Sequence, residues 1–279
     1  MVLSLISFSI AETFVHSFFP AYSRQNNISE AKNSGFTCYD KYPEERYPEA
    51  KAYCHALANT KIAGFEGIWR NLTAIVGYNK RLVWEDNKIN SRVLVVTWTS
   101  WDGYEKNVGK SIPVQRDIWV TAVPDLKDFC TQYDSNEKIA LSYRINQLLG
   151  LPPESTENNQ KRKLVEIWVE PKYLFRPTPD PEITDHEAEL DFPLPNSFIS
   201  ISYKYKNWFL KQLMTNDYPW TKLGYTYDWG KHSDWKKIDP NRPVFVGLSE
   251  FIIREGANVK INSASKLGDY CKSNSIPDR

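Results

Sequence analysis

Arg92-Val-Leu-Val-Val-Thr-Trp98 decides the fold. The run is almost entirely β-branched or aromatic and holds no glycine or proline, which is how a strand buried on both faces is written. Asp117-Ile-Trp-Val-Thr-Ala-Val123 repeats that texture, with Pro124 as its expected end, and Lys163-Leu-Val-Glu-Ile-Trp-Val169 repeats it again. Working outward, Ile68–Arg70 and Leu82–Glu85 read as shorter strands. Phe198–Tyr205 alternates apolar and polar residues as a half-exposed strand would. Pro243–Val246, Glu250–Arg254 and Asn258–Ile261 close the chain as strands, with Glu255-Gly256-Ala257 making the last turn. Helical spacing is found at Ala50–Leu57, at Trp208–Met214 and most clearly at Ile139–Leu149. Gly150 stops that last helix and Pro152-Pro153 forbid its continuation. Strands outnumber helices and do not alternate with them, which argues against a doubly wound α/β sheet. The expectation is a single α+β domain over residues 24–279, a mostly antiparallel twisted β-sheet with a few short helices.

The composition narrows the class of function. With 35 basic and 34 acidic side chains among 279 residues the net charge is +1, so there is no electrostatic motive for a nucleic-acid or anionic-membrane partner. Hydrophobic residues at 41% and charged residues at 25% suit a folded globular chain. No apolar stretch reaches the roughly 20 residues a membrane span requires. Residues 1–23 form an apolar N-terminal segment, uncharged up to Glu12, with Ser9-Ile10-Ala11 and Ala21-Tyr22-Ser23 as small-x-small cleavage patterns. A basic leading region is missing, so the segment reads as the back half of a signal peptide that starts upstream, or else as an apolar element of the fold.

Cysteine usage points to the same compartment. Cys38, Cys54, Cys130 and Cys271 are even in number, contain no CxxC pair and allow three pairings. Cys38 and Cys54 bracket a short tyrosine-rich segment and Cys271 lies near the C-terminus, which favours Cys38–Cys54 and Cys130–Cys271. A secreted or periplasmic location is therefore expected, the alternative being four buried thiols in a cytosolic protein. The triplets Asn27-Ile-Ser29 and Asn71-Leu-Thr73 match the glycosylation sequon, a pattern too common to carry weight.

The aromatic residues, 10 Trp, 16 Tyr and 13 Phe, concentrate in Tyr218-Pro-Trp-Thr-Lys-Leu-Gly-Tyr-Thr-Tyr-Asp-Trp-Gly230. Rings interleaved with Gly, Pro, Thr and Asp stack on sugar faces or flat ligands, and an adjacent Asp accepts hydrogen bonds from hydroxyls. Trp220, Tyr225, Tyr227, Asp228 and Trp229 are the candidate ligand-binding residues, with His232 and Trp235 extending the cluster. The alternative is that these rings fill space in a chain poor in Gly and Met.

Val246-Gly-Leu-Ser-Glu-Phe-Ile-Ile-Arg-Glu-Gly-Ala-Asn-Val-Lys-Ile261 offers a second site, a glutamate opening an apolar strand that returns after a glycine turn. It resembles the closing hairpin of ADP-ribosyltransferase-type NAD enzymes. That resemblance covers some fifteen residues. It implies Glu250 as the catalytic carboxylate, Arg144 or Arg176 as the anion-holding arginine, and Tyr225 or Tyr227 as stacking rings. The acidic run Asp180, Glu182, Asp185, Glu187, Glu189 and Asp191, with His186 inside it, lacks the spacing that curls a loop around calcium and reads as a solvated surface. No GxSxG, GxGxxG, P-loop or HExxH motif occurs, and four histidines are too few for a histidine-rich metal centre. No cofactor and no metal is expected. The primary reading is thus a protein that binds carbohydrate, a small molecule or a protein partner through its aromatic loop. The alternative is an enzyme on a nucleotide (ADP-ribosyltransferase or NAD-glycohydrolase-like) or on a glycan, with Glu250 and Arg144 as catalytic residues.

Overall fold

Valine, leucine and tryptophan alternate along β1 (Val93–Thr99), and the alternation sends them to opposite faces of one sheet. In the computed structural model, which describes residues 37–47, 49–133, 139–154, 156–194, 201–215, 218–230 and 240–272, β1 is the central strand of seven. β2 (Ser111–Pro113), β3 (Ile118–Ala122), β4 (Lys163–Val169), β5 (Leu174–Phe175), β8 (Phe251–Ile253) and β9 (Asn258–Ser265) complete the sheet in the order β2-β9-β4-β1-β3-β8-β5. Every pairing within it is antiparallel. β1 and β4 run the full length of each other, from Val93 opposite Val169 to Thr99 opposite Lys163. β6 (Tyr225–Tyr227) and β7 (Val246–Ser249) form a separate two-stranded ribbon. The α+β class expected from the sequence is what the chain adopts.

Both faces of the sheet are covered. Val93, Val95, Val165, Ile167, Phe251, Ile253 and Ile261 face one core with Ile75, Leu82 and Trp84. Leu94, Val96, Trp98 and Leu164 face a second, built with α3 (Val123–Gln132), α4 (Leu141–Leu148) and α7 (Leu267–Lys272), while the short α5 (Thr156–Lys161) precedes β4. Each fully buried aliphatic side chain contributes on the order of 2 kcal/mol. Leu126, Phe129 and Cys130, three and four residues apart, form the inward stripe of α3.

Two bridges staple this framework. Cys38–Cys54 joins the one-turn α1 (Cys38–Lys41) to α2 (Ala50–Asn59), and Cys130–Cys271 joins α3 to α7 across 141 residues. No described cysteine is free. Among the described residues no helix is long and apolar enough to cross a membrane. The candidate signal segment lies outside the described residues.

Some local expectations are corrected. Ile68–Arg70 is not a strand, and of Leu82–Glu85 only Trp84 pairs, bridging to Val93. Pro124 does not merely end β3; it opens α3, where its missing N–H costs nothing because the first helical amides have no partner inside the helix. Tyr203–Tyr205, read as strand, belongs to α6 (Tyr203–Leu213). Ser202 caps α6 by accepting from the Tyr205 amide at 3.2 Å, and Tyr205, Trp208 and Phe209 share its inner face. Three-and-four spacing of large rings therefore outweighed a short polar alternation. Residues 198–200 of that expected strand lie outside the described set.

Candidate functional site

On the helix-covered side of the sheet, the chain leaves the two-stranded ribbon and enters the large sheet through one residue, Glu250, placed between β7 and β8. The cleft beside it has a volume of about 600 Å³. The large sheet gives it the ends of β1 and β3, with Trp98 and Trp119, and Tyr104 adds a ring from the loop between them. Opposite stand Tyr218, Trp220, Tyr225 and Tyr227. Arg116 and Asp117 line one side and Glu250 completes the wall.

Each ring has a mechanical reason for its position. Trp220 packs edge-to-face on Phe209 at 5.0 Å, on Trp119 at 6.2 Å and on Trp208 at 6.4 Å. Trp208 is fixed in turn, its Nε1 donating to Asp117 Oδ2 at 2.8 Å, while Asp117 Oδ1 accepts from the Glu255 amide at 2.9 Å. Trp98 Nε1 donates to the buried Asn146 Oδ1 at 2.9 Å. Tyr225 donates its hydroxyl to Gly67 O at 2.7 Å, and Tyr227 stacks on Phe245.

The ribbon sits this close to α4 because two glycines allow it. Gly150 takes φ +66° just past α4, the left-handed conformation that favours glycine. A Cβ on Gly247 would stand 2.2 Å from Thr226 Oγ1 and 2.5 Å from Leu148 O. In its absence Thr226 donates to Leu148 O at 2.6 Å and accepts from the Leu248 amide at 2.9 Å. Lys222 anchors the far end of the aromatic loop, donating to the carbonyls of Thr60 and Lys61, and burial pulls its pKa down to about 8.

Two residues that line this cleft each carry a buried polar atom without a partner. Trp220 Nε1 and Glu250 Oε2 are both buried and neither makes a hydrogen bond. Burial alone pushes the Glu250 carboxyl up to about 8, so it is largely protonated at neutral pH. Buried polar groups are ordinarily satisfied, and each one left open costs about 1–3 kcal/mol.

The residues singled out from the sequence divide. Glu250, Trp220, Tyr225 and Tyr227 meet at this cleft; Arg144, Asp228 and Trp229 do not line it. Arg144 is wholly buried and forms a bidentate pair with Asp228, Nη1–Oδ1 2.8 Å and Nη2–Oδ2 2.5 Å. Trp229 is 3% exposed, packs against Tyr53 and Tyr143, and donates to Leu151 O at 2.9 Å. Arg176, the other arginine considered, is also wholly buried and donates to the carbonyls of Glu182 and Asp185. His232 and Trp235 fall outside the described residues.

The acidic run is not a solvated face throughout. Asp180 is buried, and burial lifts the carboxyls of Asp180, Glu182 and Glu189. Among the described residues no three His, Cys, Asp or Glu side chains converge to hold a metal ion. Sequence reasoning passed over Trp98, Tyr104, Arg116, Asp117 and Trp119. The one available signal was Trp119, a tryptophan facing away from the β3 residues Val120 and Ala122 that enter the first core. No protein-family model, curated protein or solved structure matches this chain.

Proposed function

We propose that this chain is a ligand-binding protein whose cleft between β1, β3 and the β6–β7 ribbon takes a carbohydrate. One observation carries the reading: Trp98, Trp119, Tyr218, Trp220 and Tyr227 wall a single cavity of about 600 Å³ together with Asp117 and Glu250. Rigid rings offer contact area at small entropic cost and suit the apolar faces of pyranoses, while the polar side chains among them, Arg116 and Asp117, suit their hydroxyls. The two disulfides support a home outside the reducing cytosol. Titration calorimetry against a panel of oligosaccharides tests the reading. Binding that is abolished by Trp220→Ala supports it, and heatless titrations across the panel overturn it.

A second reading has its own observation. A carboxyl still protonated at neutral pH and set in a cleft has the property a glycosidic general acid needs, and Asp117 lines the same cleft as a second carboxylate. Glu250→Gln separates the two readings, because a neutral amide preserves hydrogen bonding and removes acid catalysis. Turnover that vanishes in Glu250→Gln favours an enzyme; retained binding without turnover in either protein favours a binding module. The nucleotide version draws least support, since Arg144 and Arg176 are both committed to internal contacts.

A further inference from the structure

We infer that the outward face of α6 docks the protein onto an anionic lipid surface. Tyr205, Trp208 and Phe209 turn inward, which leaves Tyr203, Asn207, Leu210 and Met214 at i, i+4, i+7 and i+11 along the opposite side. Tyr203 is 79%, Leu210 52% and Met214 84% exposed, with Leu213 at 40% on the shoulder of the same stripe. A single exposed apolar residue needs no explanation, but several large ones on one short helix do. At 3.6 residues per turn Lys204 and Lys211 flank the stripe on one side and Lys206 flanks it on the other. Among the described residues none of the three is held in an ion pair. From Phe192 to Asn216 the sequence contains these lysines and no acidic residue. The balanced charge of the whole chain therefore conceals a local basic and apolar strip.

The size and chemistry of the strip favour lipid over protein. α6 has 11 residues and one outward face, well short of the roughly 20–30 residues that each side of a stable protein interface contributes. A bilayer asks for no pocket and no matching shape. An amphipathic helix lies flat at its boundary, apolar side chains entering the acyl layer while flanking lysines meet the phosphates of anionic lipids. Tyrosine at the start of such a stripe suits the headgroup level, where a ring with a polar tip is at home. The inner face is anchored independently, Trp208 by its bond to Asp117 and Phe209 by its packing on Phe192 and Trp220, so the helix can present its outer face without unfolding. Gln212 and Thr215 at the end of α6 also line the cleft, which puts the docking face beside the cleft mouth. The inference does not depend on what the cleft binds.

Flotation of the full chain with lipid vesicles tests this, comparing pure phosphatidylcholine with phosphatidylcholine containing about 30% phosphatidylglycerol. The expected result is at least fivefold more protein floating with the anionic vesicles, and a loss of that excess when salt is raised from about 0.1 M to about 0.5 M. Leu210→Glu with Met214→Glu should abolish flotation, and Lys204→Gln with Lys206→Gln and Lys211→Gln should bring it down to the level of pure phosphatidylcholine. Thermal melts check that each variant is folded; if the glutamate variant is not, the lysine variant decides. Equal flotation with the two vesicles, flotation with neither, or flotation untouched by both sets of substitutions overturns the inference. A solution dimer that the glutamate variant dissociates, in a chain that ignores vesicles, also overturns it and assigns the face to a second copy. Capture of polyglutamate by such a chain overturns it in favour of an acidic protein segment.

Discussion

Arg144 and Asp228 meet as a two-pronged ion pair from which solvent is excluded, their side chains 0% and 1% exposed. The pair ties α4 to the segment just after β6, and the Gly230 amide adds a third bond to Asp228 Oδ1 at 3.0 Å. Removing one member strands a charge in the interior. Asp228→Ala should therefore cost about 3–5 kcal/mol in urea denaturation, and replacing both residues together by Met and Leu should recover much of it. A single variant that loses less than 1 kcal/mol would contradict the buried-pair account.

Trp229 and Trp220 sit nine residues apart and should respond oppositely to truncation. Trp229→Ala empties a site packed against Tyr53 and Tyr143, and a loss of about 3–5 kcal/mol is expected. Trp220 is only partly buried at the cleft wall. Its alanine variant should reduce ligand affinity at least tenfold while moving the melting temperature less than Trp229→Ala does. Paired thermal melts and binding titrations read both effects.

Glu250 makes stability pH-dependent with a definite sign. Its folded pKa, about 8, lies above the ordinary 4.5, so the folded chain holds a proton that the unfolded chain releases. The stabilisation is fully present below about pH 4.5, declines as pH rises, and is gone above about 8, with a slope of up to ~1.4 kcal/mol per pH unit in between. Desolvation also raises the carboxyls of Asp125, Asp180, Glu182 and Glu189, which tilts the profile the same way. The difference between wild type and Glu250→Gln isolates the one residue. At pH 8 the Gln variant should be the more stable; equal denaturation midpoints at pH 5 and pH 8 would refute the shift. Tyr104, Arg116, Asp117, Tyr218, Tyr225 and Tyr227 are the other titratable groups lining the cleft.

The two disulfides should differ in worth. On the loop-entropy model a 16-residue separation stabilises by ~3 kcal/mol and a 141-residue separation by nearer 5. Cys130→Ser with Cys271→Ser should lower the denaturation midpoint more than Cys38→Ser with Cys54→Ser. Reversal of that order would show that native-state effects dominate loop length.

Strands whose both faces are buried were the most legible parts of the chain. β4 occupies the seven residues read from Lys163–Val169, and β1 differs from its reading by one residue at each end. Texture sufficed there because no competing pattern was present. It misled at Tyr203–Tyr205, where the rings at 205, 208 and 209 satisfy a helical face as well as an alternation. The cleft was half legible. The loop around Trp220 stands out by composition, and Glu250 by its place at a strand start. Which rings turn inward was hidden, because Trp220 and Trp229 share one segment and tertiary packing alone separates them. Trp98 and Trp119 come from strands that pair far along the chain, and their approach to Tyr218 is a long-range outcome that local spacing does not encode.

The bond between Cys130 and Cys271 makes a covalent ring of everything between those positions, Trp220 and Glu250 included. A protease that nicks any exposed peptide bond inside this ring cannot release a fragment while the sulfurs remain joined. In a protease-rich medium a molecule cut once there would stay in one piece, and a reducing gel would reveal the cut.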